Sequence, residues 1–68
     1  MMHTVKLWKR RATWMYDVTN PQGGGFGSNY CGPQHIAIDK AVGCLPAGTR
    51  YRLIVNGKDR GTRTKGGS

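Results

Sequence analysis

Glutamate is absent from this chain of 68 residues. The chain has only three aspartates, Asp17, Asp39 and Asp59, compared with eleven lysines and arginines. The three carboxylates are far apart in the sequence, so no pair of them is placed for general acid–base catalysis or metal-assisted hydrolysis. We therefore expect a protein that is not an enzyme. The formal net charge of +8 and the isoelectric point near 10.2 predict an anionic partner instead.

Long apolar runs are also missing. No window approaches the roughly 20 apolar residues that a membrane span needs, and the N-terminal region lacks the apolar segment of a secretion signal. We expect no membrane association and a cytoplasmic location, which would be the host cytoplasm for a phage-encoded chain. Because so short a chain buries little surface, homodimerisation is an option that would add stability.

Cysteine occurs only at Cys31 and Cys44, which is too few for a disulfide framework. With His35 they form the spacing C-x3-H-x8-C, and His3 is a conceivable fourth ligand. Structural zinc sites bring two tightly spaced ligand pairs, and the second pair is missing here. We expect free thiols and neither a metal nor another cofactor.

The segment Cys31-Gly32-Pro33 resembles the Cys-Gly-Pro that opens the nucleophile helix of double-glycine-type cysteine peptidases. The resemblance covers only these three residues. Such a peptidase needs a base histidine later in the chain, and no histidine follows His35. We interpret the segment as a turn that leads into a helix.

The most regular pattern is near the C-terminus, where Tyr51, Leu53 and Val55 alternate with other residues and Asn56-Gly57 follows. Alternation predicts a strand, and Asn-Gly is typical of a two-residue type I′ turn. We predict a β-hairpin here.

An uninterrupted ladder in this hairpin would place three arginines, Arg50, Arg52 and Arg63, on one face around Ile54 and Asp59. Positive charge on a strand at a sheet edge discourages pairing with other chains. The same three side chains could also form a patch that binds phosphates. The hairpin alone favours neither interpretation.

In residues 3–18 the alternation changes phase. Such a change predicts a turn or bulge at Lys9-Arg10-Arg11, so that the segment is a hairpin with a basic tip or one bent strand. Either structure exposes these three basic residues. The apolar residues lie at odd positions first and at even positions afterwards: Val5, Leu7, Ala12, Trp14, Tyr16 and Val18.

Residues 19–32 contain five of the eleven glycines and show no apolar periodicity. They predict a loop of about 14 residues, a length at which loops are often functional or disordered. Phe26 and Tyr30 stand alone among small residues. Their rings could fold back on the core, or they could stack on the bases of a single strand.

A short amphipathic helix is predicted over about residues 33–42. Pro33 suits the first position of a helix, and Gly43 suits a left-handed cap just past its end. The alternation of Ile36 and Ile38 would also fit a strand, but the flanking proline and glycine favour the helix. The apolar residues with i, i+3, i+4 and i+7 spacing are Ile38, Ala41, Val42 and Leu45.

Together these elements predict an α+β fold: a small antiparallel sheet of three or four strands with one short helix packed on one face. Residues 1–64 would form a single domain with the Gly-rich loop at 19–32, and residues 65–68 would be a mobile tail. The core would contain the helix stripe with Val5, Leu7, Tyr51, Leu53, Val55 and some of Trp8, Trp14 and Met15.

The leading functional hypothesis is a small basic protein that binds DNA or RNA, mainly electrostatically and with weak sequence specificity, aided by aromatic stacking. The alternative is a non-enzymatic interaction protein, such as a phage or mobile-element inhibitor of the anti-CRISPR kind, that docks on an acidic surface of a host complex. The candidate contact residues for either partner are Lys9, Arg10, Arg11, Arg50, Arg52, Arg63, Phe26 and Tyr30.

Overall fold

The computed structural model describes residues 2–66, which form a five-stranded sheet and one helix. The sheet order is β3-β2-β1-β4-β5, and all neighbours are antiparallel except β1 and β4. The α+β class is confirmed, whereas the prediction of three or four antiparallel strands is wrong, because the sheet has five strands and is mixed. The elements in chain order are β1 (His3–Arg10), β2 (Thr13–Thr19), β3 (Gly25–Tyr30), α1 (Gln34–Val42), β4 (Arg50–Val55) and β5 (Lys58–Thr64).

The fifth strand is β3, which lies inside the segment that was predicted to be a loop. Gly25–Tyr30 pair with β2 along their whole length. A tight turn leads into the strand, where the side-chain oxygen of Asn20 accepts hydrogen bonds from the N–H groups of Gln22 and Gly24, each at 3.0 Å. Glycine removes the apolar alternation by which strands are recognised in a sequence, but its backbone still pairs.

The parallel pairing of β1 with β4 follows from the path of the chain after β3. Helix α1 carries the chain from the β3 edge back across one face of the sheet, and β4 then lies beside β1, with Leu7 opposite Val55. Asn56 continues the pairing, since its N–H donates to the Leu7 carbonyl at 2.8 Å. A connection through a helix is the usual way to make two strands parallel.

Residues 3–18 form the first hairpin, and the alternative of one bent strand is wrong. Arg10 lies opposite Thr13, so the turn consists of Arg11 and Ala12 alone. Arg11 has a φ of 56°, a value in the left-handed region that costs energy for most residues other than glycine. As predicted, Lys9, Arg10 and Arg11 are exposed at this tip.

The second hairpin has the predicted two-residue turn. Asn56 and Gly57 have φ values of 51° and 80°, the left-handed values that a type I′ turn requires at both positions. The prediction of a hairpin with an Asn-Gly turn is therefore confirmed.

The register of this hairpin differs from the prediction because the ladder shifts between Arg52 and Ile54. Gly61, with a φ of 89°, takes up the extra residue, and its N–H donates to the Asp59 carboxylate at 2.8 Å. A bulge of this type favours glycine at the left-handed position. Beyond it Arg63 pairs with Tyr51 and so points to the same side of the sheet as that core residue. The predicted face of three arginines is therefore wrong, because Arg63 lies on the opposite face from Arg50 and Arg52.

We expect Gly57→Val to destabilise the protein by about 1–2 kcal/mol, because a β-branched side chain resists the left-handed region. Gly66→Val is the matched control, since a Cβ at Gly66 would have no heavy atom within 4 Å and its φ lies outside the strained range. Thermal unfolding of both variants at one protein concentration checks this. Equal melting temperatures for the two variants would contradict the turn.

The core lies between the sheet and α1. The helix buries two alanines, Ala37 and Ala41, whose small side chains allow the helix to lie close to the sheet, while Ile38 and Val42 flank them. The buried stripe of the helix is thus formed by Ala37 and Ala41, whereas the predicted stripe consisted of Ile38, Ala41, Val42 and Leu45. The buried residues of the described chain are Val5, Leu7, Trp14, Tyr16, Val18, Ala37, Ala41, Leu45, Tyr51, Leu53 and Val55.

Both ends of the helix differ in detail from the prediction. Pro33 is the N-cap, not the first helical residue, and Gly43 has a φ of −59°, so it is not a left-handed cap. The carbonyls at the C-terminal end are instead bound by a lysine: the Lys65 ammonium donates to the Val42 carbonyl at 3.2 Å and to the Leu45 carbonyl at 3.1 Å. A cation at this end also complements the helix dipole.

The backbone of Lys65 also contacts the fold, since its N–H donates to the Thr49 carbonyl at 2.8 Å. Lys65 is the first residue of the predicted tail at residues 65–68, and residues 67–68 lie outside the described part of the chain.

Candidate nucleic-acid interface

The tips of both hairpins lie at the same end of the sheet. This follows from the parallel pairing of β1 and β4, because each of these strands leads into its turn at that end. A hydrogen bond joins the two tips: the N–H of Lys9 donates to the side-chain oxygen of Asn56 at 3.1 Å. Asn56 thus serves both as a turn residue and as the link between the hairpins.

Four exposed basic residues meet at this end, which we call the basic end: Lys9, Arg10, Arg11 and Lys58. Neither residues 8–16 nor residues 55–58 contain an aspartate or glutamate. Lys9 and Arg10 end β1, Arg11 lies in the first turn, and Lys58 begins β5 after the second turn. Four like charges in this region create a positive potential that attracts phosphate groups. The cluster predicted at Lys9-Arg10-Arg11 therefore gains a fourth member from the other hairpin.

The acidic residue that follows Lys58 in the sequence is paired with an arginine of β4. Asp59 lies opposite Ile54 on β4, and its carboxylate is 3.5 Å from the Arg52 guanidinium. Both side chains are about half exposed, at 49% and 53%, so the ion pair contributes little to stability. It does, however, keep the carboxylate near Arg52 on β4.

The sheet has a covered face and an open face. Helix α1 covers the face that carries the core, and no other element of residues 2–66 covers the opposite face. Half-buried apolar side chains on this open face are Trp8, Met15 and Ile54, with Trp8 directly opposite Met15. Arg10, two residues after Trp8 in β1, lies on the same face of the sheet. The Trp8 indole is therefore next to the basic end.

Trp8 is the candidate that the sequence analysis missed, since it was grouped with core residues. The alternation in β1 could have placed Trp8 correctly. Val5 and Leu7 point to the core, so Trp8, at an even position of the same strand, must point away from it. Trp14 belongs to β2, where even positions point inward, and it is buried.

The structure keeps Lys9, Arg10 and Arg11 together but separates them from the three predicted arginines of the second hairpin. His3 is aligned with Tyr51, so Arg50 lies level with Met2, the residue just before β1. Eight residues of strand separate that level from Arg10, which is about 26 Å at the usual rise per residue. Arg52 is on the open face at the same distant end, and Arg63 is on the helix side.

The two predicted aromatic contact residues, Tyr30 and Phe26, differ in how exposed their rings are. The ring of Tyr30 is half-buried, packs against the core and lies 5.1 Å from the Lys40 ammonium. A Cβ on Gly32 would approach the Tyr30 hydroxyl to 2.6 Å and the ring to 2.7 Å, so a larger residue there would force the tyrosine side chain to shift. Phe26 is 46% exposed and, together with His3 and Cys44, lines a shallow cleft of about 120 Å³.

We expect Tyr30→Ala to lower the stability by about 1–2 kcal/mol, since a half-buried ring that contacts the core is lost. Tyr30→Phe is the control, because it keeps the ring and removes only the hydroxyl. Chemical denaturation of both variants is the measurement. If Tyr30→Ala were as stable as Tyr30→Phe, the ring would not stabilise the fold, and Tyr30 would remain a candidate contact residue only.

The remaining polar candidates do not form a common site. Within residues 2–66 no three His, Cys, Asp or Glu side chains lie close enough together to hold a metal ion. Both thiols are exposed, and each contacts a nearby carbonyl: Cys31 that of Ala12 at 3.5 Å, and Cys44 that of Lys40 at 3.4 Å. Across the same residues, no helix has the length and apolar character needed to cross a membrane.

Comparison with known proteins gives no relative: no protein-family model, no curated protein and no solved structure matches this chain. The basic end and the open face are therefore the features that bear on function.

Proposed function

We propose that this protein binds nucleic acid through the basic end, mainly by contacts to phosphates and with weak sequence preference. The observation that supports this most directly is the meeting of two hairpin tips, which places Lys9, Arg10, Arg11 and Lys58 together without a carboxylate among them. Backbone contacts of this kind supply most of non-specific affinity. Such a protein would act in the cytoplasm.

The shape of the basic end limits how much of it could enter a groove. Leu7 is opposite Val55 at the end of β4, and β1 continues to Arg10, so the first tip extends about three residues beyond the second. The major groove of B-DNA is about 12 Å wide and admits a two-stranded ribbon, but not the four strands from β2 to β5, whose outer axes are about 14 Å apart at the usual strand spacing. Lys58 and the second tip would therefore contact the backbone.

A single strand would gain an additional contact on the open face. Trp8 is half-buried, so part of its ring is accessible, and it shares this face with Arg10 of the basic end. Stacking of one base on an aromatic ring is worth about 1–3 kcal/mol. We therefore propose that single strands bind better than their charge alone would give, with Trp8 as the stacking platform.

A second candidate function is docking on an acidic protein, as an inhibitor of a host complex would do. The observation that favours it is the apolar group Trp8, Met15 and Ile54 on the open face, because half-buried apolar side chains rimmed by charge also suit a protein interface. Salt dependence distinguishes the two functions. A protein surface has no condensed counterions to release, so its dependence on salt is shallower.

The experiment is a titration of a fluorescent single strand and of a duplex at several salt concentrations. If the four residues of the basic end each contact a phosphate, log K should fall with log salt at a slope of roughly −3 to −4. If neither oligonucleotide binds at low salt, where a chain of net charge +8 has its greatest electrostatic advantage, the proposal fails. The open face should then be tested as a protein interface.

A further inference from the structure

The two edge strands of the sheet differ in how they are protected. The β5 edge carries Lys58, Arg60 and Arg63, all exposed, and a bulge at Gly61. Charged side chains and bulges are the usual devices that stop an edge from pairing with another chain. β3, at the other edge, has none of them: Gly25–Tyr30 contain no charged residue and no proline, and their ladder with β2 has no register shift.

Charge also distinguishes the β3 edge. Residues 19–30 contain no lysine, arginine or aspartate, although the chain as a whole carries a net charge of +8. Two copies of so basic a protein repel each other wherever their charged surfaces approach within about a Debye length, roughly 8–10 Å in ordinary buffers. The strand at the β3 edge is itself neutral, although Lys40 of α1 lies beside it, with its ammonium 5.1 Å from the Tyr30 ring.

We propose that two copies of this chain pair antiparallel through their β3 edges and form a continuous ten-stranded sheet. The unpaired backbone groups of the edge would supply about six hydrogen bonds, one for each residue of the strand. A second copy suits this edge because the strand is neutral, self-complementary and free of the protections that β5 carries.

Side-chain positions select one register. In a two-fold pair that keeps both helices on one side, residues opposite each other must have the same parity. A two-fold axis at Ser28 meets this condition and places Phe26 opposite Tyr30 of the second copy, twice by symmetry. Aromatic cross-strand pairs contribute roughly 0.2–1 kcal/mol each. This register also gives a partner to Phe26, which is 46% exposed in a single copy.

The dimer is independent of the proposed nucleic-acid binding. Each copy keeps a complete basic end, because the hairpin tips are formed by β1, β2, β4 and β5 and not by β3. In the paired sheet the two open faces lie on the same side. Failure of the dimer would leave nucleic-acid binding by the monomer unchanged, and the reverse also holds.

The test is sedimentation equilibrium of the wild-type chain beside two variants that add the same charge, Ser28→Lys and Thr62→Lys. Ser28 lies on the proposed axis, so its variant brings two ammonium groups together, whereas Thr62 lies on the opposite edge. We expect twice the 7.5 kDa chain mass for wild type and Thr62→Lys, and the single-chain mass for Ser28→Lys. Circular dichroism at the same concentration checks that each variant is folded.

A second variant keeps the test decisive if Ser28→Lys does not fold. Phe26→Ala removes the exposed ring without adding charge, and it should raise the dimer dissociation constant severalfold. A monomeric wild type at high micromolar concentration, or a Ser28→Lys variant that is folded and still dimeric, would overturn the proposal. So would a dimer that Thr62→Lys dissociates and Ser28→Lys does not.

Discussion

Replacing Lys9, Arg10 and Arg11 together with alanine should lower the affinity for a DNA duplex by on the order of a thousandfold at low salt. The three side chains form most of the basic end, and each phosphate contact contributes about 0.9 to the salt slope on a duplex. The slope should therefore become shallower by about three units. Fluorescence anisotropy at several salt concentrations measures both quantities.

The matched control removes three charges from elsewhere in the molecule. Arg50, Arg60 and Arg63 are exposed and lie outside the hairpin tips. Their triple alanine variant has the same net charge as the first variant, so general attraction is reduced equally in both. We expect the control to lose much less affinity. Equal losses in the two variants would show that binding depends on net charge and not on the basic end.

The largest effect on stability is expected for Leu53→Ala. Leu53 is 1% exposed and is among the most deeply buried large side chains of the described residues. Truncating a buried leucine costs about 2–5 kcal/mol, through lost burial and the cavity that remains. In a domain of this size each kcal/mol lowers the melting temperature by about 4–8 °C, so we expect a fall of roughly 10 °C or more.

Ile54→Ala is the matched control for that variant. Ile54 follows Leu53 in the chain and has the same number of carbon atoms, but it lies half-buried on the open face. Its truncation should cost clearly less. Both proteins should be melted at one concentration, because dimerisation would raise the apparent stability of each. If Ile54→Ala proved the more destabilising, the assignment of covered and open faces would be reversed.

Alternation was sufficient to predict the parts of the fold that depend on neighbours in sequence. The phase change in residues 3–18 indicated a turn or bulge at Lys9-Arg10-Arg11, and Asn56-Gly57 indicated the second hairpin, because turn chemistry is local. The helix also follows from local signals. These segments supply the predicted core of Val5, Leu7, Tyr51, Leu53 and Val55, and all five are buried.

Pairings between distant segments could not be predicted in the same way. β3 has few apolar side chains, and it becomes a strand because β2 offers a free edge next to it. The parallel pairing of β1 with β4 depends on where the helix returns the chain. These contacts assemble the basic end from two hairpins, so the sequence could indicate Lys9-Arg10-Arg11 but not the addition of Lys58.

The error at Arg63 had a local cause that the sequence did contain. Asp59 and Gly61 are two residues apart, and an aspartate often bonds the backbone N–H two residues later. The glycine then tolerates the left-handed conformation of a bulge. One extra residue moves every later side chain to the other face, and that shift placed Arg63 beside Tyr51.

The most direct test of the proposed interface is to titrate the ¹⁵N-labelled protein with a short single-stranded oligonucleotide and follow its backbone amide resonances. The basic end predicts that the largest shifts occur at residues 9–12 and 56–58, with smaller ones around Trp8. Residues 60–64 of β5, which are also basic and exposed, serve as the internal control. Shifts concentrated in β5, or no shifts at low salt, would contradict the account.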